Sequence, residues 1–187
     1  MPNRRNGADY LSYKKLTIND VKELGVALIR VADLYPTQFL TERDFFPLVF
    51  AYLSGRVPGI AREVQSKQGV VDFRIGGTNP TWLELAVQPR QLSDKNYAAQ
   101  HFPGHSTVNT LYAGQNRTEL TKLMHEHKGA TRFLLLLDLS GKYDFESLVQ
   151  SYRDAGIKIA GTHPVRVVYV TRDSSKIGHF LVPKTKK

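Results

Sequence analysis

Apolar and polar positions alternate along this chain with two different periods, and the periods lay out its elements. Val21, Leu24, Leu28 and Val31 recur at helical spacing. They predict a first helix over about residues 17–33, with Thr17 or Asn19 as its cap. Tyr35-Pro36 breaks that pattern. A second helix is expected over 41–54, opened by Thr41, with Glu42 and Asp44 in the first turn where the helix dipole favours acids. Phe45, Phe46, Val49, Phe50 and Leu53 form its apolar side, and Pro47 marks an expected kink.

From Gly59 onward the period changes to two. Strands are predicted at Ile60–Ser66, Val70–Ile75 and Trp82–Gln88. Lys67-Gln68-Gly69 joins the first two, and Gly76-Gly77-Thr78-Asn79-Pro80 joins the second two. Residues 90–114 have no clear periodicity, and a connection that long is usually functional or mobile. A helix follows over 116–128, with Leu120, Leu123 and Met124 inward. The continuous run Phe133–Leu137 reads as a central strand buried on both faces. Asp144 or Tyr143 opens a further helix that carries Phe145, Leu148, Val149 and Tyr152 and ends at Gly156. Val165–Thr171 is the last full strand, with a short edge strand over 177–182. The fold class is therefore α/β: N-terminal helices, an antiparallel β-meander, then αβαβ, all in one domain over residues 1–187.

Composition narrows the class. At 187 residues and 41% hydrophobic, the chain can build a full core. No apolar run approaches the roughly 18–20 residues that span a bilayer, so no membrane role is expected. Residues 1–10 are polar and lack the apolar stretch of a secretory leader, which points to a cytoplasmic or nucleoid-associated protein that is not secreted. The absence of cysteine excludes disulfides and thiolate metal sites.

Of the net charge of +9, two-thirds sits at the ends, in residues 1–15 and 173–187, which are expected to be flexible. Basic ends attract polyanions by counterion release, although they also serve simply to keep a protein in solution. Arg4, Arg5, Lys14, Lys15, Lys67, Arg90, Lys95 and Arg117 are the candidate nucleic-acid contacts. Tyr97, His101, His105, Asn109, Tyr112, Gln115 and Asn116 add aromatic and hydrogen-bonding groups in the long segment, a mix that suits nucleic acid and a polar loop equally. His101 and His105 flank Pro103-Gly104, which forbids the helix that a His-x3-His metal pair needs.

The strand pattern places chemistry in the meander. Val71, Phe73 and Ile75 point one way along the second strand, and Val70, Asp72 and Arg74 the other. Leu83, Leu85 and Val87 point one way along the third, and Trp82, Glu84, Ala86 and Gln88 the other. Paired as a hairpin, the two strands bring Asp72 and Glu84 to one face. Buried carboxylates need a partner. Here it is either an ion pair, such as Asp72 with Arg74, or a hard divalent cation.

The segments Arg62-Glu63-Val64, Gly69-Val70-Val71-Asp72-Phe73 and Trp82-Leu83-Glu84-Leu85-Ala86-Val87 resemble the core of the PD-(D/E)xK nucleases, over about residues 40–172. The resemblance implies a restriction-endonuclease-like core. It also implies a DNA endonuclease of restriction, repair or junction-resolving type that uses Mg²⁺ or Mn²⁺, often as a homodimer. Asp72 and Glu84 match the two metal-binding acids. Glu42, on the preceding helix, is the candidate for the helical acid, with Glu63 on the first strand as a second.

The motif lysine is absent: its position is Ala86. Gln88 or Arg74 could take over its role, the lysine could have been replaced to trap an inactive protein, or the chain could be a relative that only binds. That last alternative is a nucleic-acid-binding module, or a subunit of a larger complex, on the same fold. An interaction protein with no nucleic-acid role is a third reading.

Overall fold

The computed structural model describes residues 15–57, 59–91, 96, 99–100, 110–125 and 129–185. Helix α1 (Ile18–Leu34) starts where Thr17 and Asp20 form a reciprocal capping box. The Asp20 amide donates to Thr17 Oγ1 at 3.2 Å, and the Thr17 amide donates to Asp20 Oδ2 at 2.8 Å. Its buried stripe is Val21, Leu24, Leu28 and Ile29. Gly25 lies on the same stripe because α1 crosses β5 so closely that a Cβ there would sit 2.7 Å from Val170 Cγ2. Helix α2 (Glu42–Ser54) is opened in the same manner, with the Thr41 amide donating to Asp44 Oδ2 at 2.7 Å. It runs through Pro47 without a break.

The strands are β1 (Ile60–Ser66), β2 (Gly69–Ile75), β3 (Thr81–Gln88), β4 (Thr131–Asp138), β5 (Val165–Thr171) and β6 (Gly178–Val182). They form one six-stranded mixed sheet in chain order. β1, β2 and β3 make the antiparallel meander. β3, β4 and β5 run parallel, and β6 closes the far edge antiparallel to β5. Helix α3 (Arg117–His125) connects β3 to β4, and α4 (Phe145–Ile159) connects β4 to β5. The parallel strands therefore have the helical crossovers they require.

Helices cover both faces of the sheet. Leu83, Leu85, Phe133, Leu135, Leu137, Val168 and Val170 pack on the α1–α2 side. Trp82, Ala86, Leu134, Leu136, Val167 and Tyr169 pack on the α3–α4 side. Residues 133–137 are at most 1% exposed, which explains why β4 carries no alternation. Phe73, Leu85, Leu135 and Leu137 are all at most 1% exposed, as the pattern requires. Among the described residues, no helix is long and apolar enough to cross a membrane.

Three expectations are corrected. Helix α4 does not stop at Gly156 but continues to Ile159 and ends with Ala160 in the left-handed conformation. Gly156 is there for close packing, since a Cβ would lie 2.5 Å from Val182 Cγ1. Residues 173–185 of the C-terminal basic segment are not a loose end. Ser174–Lys176 forms a 3-10 turn and 178–182 is strand β6. Thr185 donates its amide to Gly161 O at 3.0 Å and its hydroxyl to Gly156 O at 3.2 Å. Finally, Val71 does not share a face with Phe73 and Ile75 but packs in the α3–α4 cluster. The cause is a break in the ladder. β1 and β2 pair regularly on either side of it, yet Glu63 and Asp72 are not partners. Glu63 has φ 48°, a conformation that side chains rarely adopt.

Candidate active site

The break at Asp72 opens a fork between β2 and β3. The two strands pair only from Ile75↔Thr81 to Phe73↔Leu83. Past that point the Leu85 amide donates at 2.8 Å to the Asp72 carboxylate Oδ2, not to a backbone carbonyl. Glu84, on the neighbouring β3 position, is 1% exposed. It lies alongside Leu134 of the central strand β4, so water does not solvate it.

The cation beside these acids comes from α3. Lys122 Nζ lies 2.6 Å from Glu84 Oε1 and donates at 2.6 Å to the Val70 carbonyl. Glu119, one helical turn earlier, is 4.0 Å from the same ammonium. Lys122 is itself buried, at 7% exposure. One ammonium thus faces several carboxyl groups inside the protein, and their acidities respond. Burial, then the charge of Asp72, pushes Glu84 up from 4.5 to about 9, and Lys122 opposes the rise. Burial also raises Asp72, against the pull of the Leu85 amide. Both carboxyls therefore hold a proton more tightly than a free carboxylic acid does.

Glu42 stands at the first position of α2 and is pushed up to about 7. Partial desolvation by the groups around it is the main cause, followed by the charges of Asp72 and Glu119, while the residue itself keeps contact with solvent. The helix on one side of the sheet and α3 on the other therefore both address the fork. Of the acids expected from the sequence, Asp72, Glu84 and Glu42 share one electrostatic neighbourhood. Glu63 sits at the break in β1 and, like Glu42, is exposed, but no charge coupling ties it to the other acids.

Among the described residues, no three His, Cys, Asp or Glu side chains converge to hold an ion by themselves. Mg²⁺ does not need that many: it is usually held by one or two carboxylates, with water and phosphate oxygens completing its shell. Asp72 and Glu84 offer that number of hard oxygen donors. The excess of buried acid over the single Lys122 is the imbalance that a divalent cation relieves, so these residues fit such an ion.

Other expected residues do not join the acids. Gln88 is a buried tie: its Oε1 accepts from the Thr110 amide at 2.9 Å and from the Tyr143 hydroxyl at 2.7 Å. It shares the Glu84 face but lies four residues along the strand, about 13 Å away. Arg74 turns to the β2–β3 hairpin, donating from Nη2 to Gly77 O at 2.9 Å. Ala86 is 2% exposed, within the α3–α4 cluster. The cation next to Glu84 is therefore Lys122 and not Arg74, and Gln88 does not reach the acids.

Lys15, Lys67, Arg90 and Arg117 are exposed. Arg4, Arg5, Lys14, Lys95, Tyr97, His101, His105 and Asn109 lie outside the described residues. Asn116 is a structural tie, donating to Thr110 O at 2.6 Å and Tyr112 O at 3.2 Å.

The sequence reading missed Lys122 and Glu119. Their one visible signal, an acid and a base three apart on a helix, is also that of an ordinary surface ion pair.

Comparison with known proteins adds little. No family model matches the chain, and no curated protein matches it. Among solved structures, the crystal structure of SSO0001 is similar over 95% of this chain and 72% of that one, with 12% sequence identity and a TM-score of 0.31. At that score the likeness carries no argument.

Proposed function

We propose that this chain is a divalent-metal-dependent DNA endonuclease with a restriction-endonuclease-like core, in which Lys122 of α3 replaces the lysine missing at residue 86. The observation that carries this reading is the 2.6 Å approach of Lys122 Nζ to Glu84 Oε1. It supplies the cation from a different element and leaves Ala86 as a packing residue.

Asp72 and Glu84 would hold Mg²⁺ or Mn²⁺, which supplies water activation and charge stabilisation at the phosphate. Leu85, donating its amide to Asp72 Oδ2, fixes that carboxylate's orientation. Lys122, fastened at Val70 O, keeps its remaining N–H donor capacity beside Glu84 for a phosphate oxygen. Glu42, pushed up to about 7, is suited to take a proton near neutral pH.

The second reading is a nucleic-acid-binding module that does not cut. It is favoured by the same contact, because a buried Lys–Glu pair can be purely structural. Supercoiled plasmid incubated with Mg²⁺ or Mn²⁺ tests the difference. The wild-type chain should nick or linearise the plasmid, and Asp72→Asn should lose that activity by at least about a hundredfold while keeping its fold. Plasmid that stays supercoiled in both metals, with DNA still bound, would replace the nuclease by the binding module.

A further inference from the structure

The meander holds a second feature, separate from the acids. A recess of about 370 Å³ is lined by residues near both ends of β2. Its lining includes Ser66 at the end of β1 and Lys67 of the β1–β2 turn, Arg74 of β2, Gly77 and Thr78 of the β2–β3 turn, and Trp82 as a largely buried wall. No carboxylate lines it.

The chemistry of this lining is that of an anion site. Arg74 is held in place at two points. Its Nη2 donates to Gly77 O at 2.9 Å, and its Cζ lies 5.9 Å from the centre of the Trp82 ring. A guanidinium has five N–H donors in a fixed fork, so one bond to a carbonyl leaves most of that fork in use for other acceptors. Lys67 adds a second positive charge, and Ser66 and Thr78 add hydroxyls. The Trp82 ring gives this wall a flat face on which the Arg74 guanidinium rests. Recesses of this composition suit phosphate, which accepts several hydrogen bonds at once and carries the opposite charge.

Position ties the recess to the fork. Arg74 follows Asp72 by two residues, and Trp82 precedes Glu84 by two. Two residues of strand are about 7 Å. The recess therefore begins roughly one nucleotide's reach from the acids, on the same two strands.

We infer that this recess binds a backbone phosphate of the nucleic-acid strand that the fork addresses, and so sets which stretch of the strand lies over Asp72 and Glu84. The inference rests on the nuclease reading for its substrate. Lys67 and Arg74 are then positioning residues, and the bond to be cut is not theirs to touch.

Binding without cleavage tests it. Fluorescein-labelled single-stranded and duplex oligonucleotides are titrated with full-length protein in EDTA, over about 50–200 mM salt. The double variant Lys67→Gln/Arg74→Gln is compared with wild type and with Arg153→Gln/Lys158→Gln, whose residues are exposed on α4. Thermal unfolding checks that each variant keeps its fold, and Lys67→Gln alone stands in if Arg74→Gln does not.

The double variant should bind roughly tenfold or more weakly. Two lost phosphate contacts should also flatten its slope of log Kd against log salt, by about 1.8 for duplex or 1.4 for single strand. Arg74→Lys should restore part of the slope but not the full affinity, because the fork is lost. If the double variant keeps the wild-type slope, or if the α4 variant flattens it equally, the inference fails and the nuclease reading stands. If inorganic phosphate binds wild type but not the double variant while oligonucleotide binding is unchanged, the recess is a small-anion site and the strand assignment is overturned. If wild type binds no oligonucleotide at any salt concentration, the nuclease reading fails and this one falls with it.

Discussion

Replacing Glu84 by glutamine should make the metal-free protein more stable at alkaline pH, although it removes a partner of a buried lysine. In the folded protein the Glu84 carboxyl is pushed up from 4.5 to about 9, mainly by burial and then by Asp72. Between those values the folded state keeps a proton that the unfolded chain has released. The stability contributed by this group is complete below about pH 4.5 and is lost as pH rises through about 9. The full rise is worth at most roughly 6 kcal/mol, at 1.36 kcal/mol per pH unit. Because the proton is shared with Asp72, about 2–3 kcal/mol at pH 8.5 is the expected part. Glutamine has no proton to lose, and its amide oxygen still accepts from Lys122. Glu84→Gln should therefore match wild type near pH 5 and unfold about 4–12 °C higher at pH 8.5 in EDTA, given about 2–4 °C per kcal/mol for a chain of this size. Mg²⁺ should close the gap. At a hundred times its dissociation constant it adds about 2.7 kcal/mol to wild type by mass action, and little to the variant. Thermal unfolding at the two pH values, with EDTA and then with Mg²⁺, reads all of this. A Glu84→Gln protein that is destabilised equally at pH 5 and pH 8.5 would refute the reasoning, because Glu84 would then be an ionised, purely structural partner of Lys122.

Lys122→Met leaves the Glu84 carboxyl without its ion partner and Val70 O without its donor, which should cost about 1–3 kcal/mol. It should also tighten Mg²⁺ binding, measured as thermal stabilisation, while plasmid cleavage is lost; a purely structural lysine would not separate those two readouts. Glu42→Gln should remove the rising limb near pH 7 from the pH profile of cleavage, since Glu42 is the acid pushed up to about 7. A variant with the wild-type limb would leave Glu42 as a helix N-terminal acid with no part in proton transfer.

The sequence carried the elements well because each has its own period and its own punctuation. Thr17 and Thr41 are caps in the structure, and the unbroken run from Phe133 is the central strand. Alternation also placed Asp72 and Glu84 on neighbouring strands. It could not show the ladder break, because Glu63 adopts a positive φ without the glycine that normally announces one. Val71 was therefore assigned to the wrong face. Alternation put Gln88 on the Glu84 face, but four residues of strand keep it about 13 Å away, and its side chain is tied to Thr110 and Tyr143. Arg74 failed differently: a long side chain can leave its strand position, and this one bends to Gly77. Lys122 was hidden because contact between α3 and the fork is a tertiary fact, and nothing within α3 distinguishes a buried lysine from a solvated one.

The ladder break accounts for more than one part of the site. In a regular hairpin the Leu85 amide would find a backbone partner across the β2–β3 ladder. Because pairing stops at Phe73↔Leu83, it must be satisfied otherwise, inside a protein where an unpaired backbone group is costly. Asp72 takes the Leu85 amide, and Lys122 donates to the Val70 carbonyl on the neighbouring stretch of β2. The two side chains that bind backbone at the fork are the same two that set the charge around Glu84. The position of the cation follows. Ala86 lies packed beneath the α3 side at 2% exposure, so a lysine there would have to force its stem into that cluster. From α3, the stem instead passes Gly69, where a Cβ would lie 3.5 Å from Lys122 Cδ, and the ammonium arrives at the open side of the fork. A small residue at 86 and a lysine at 122 are thus two halves of one packing solution.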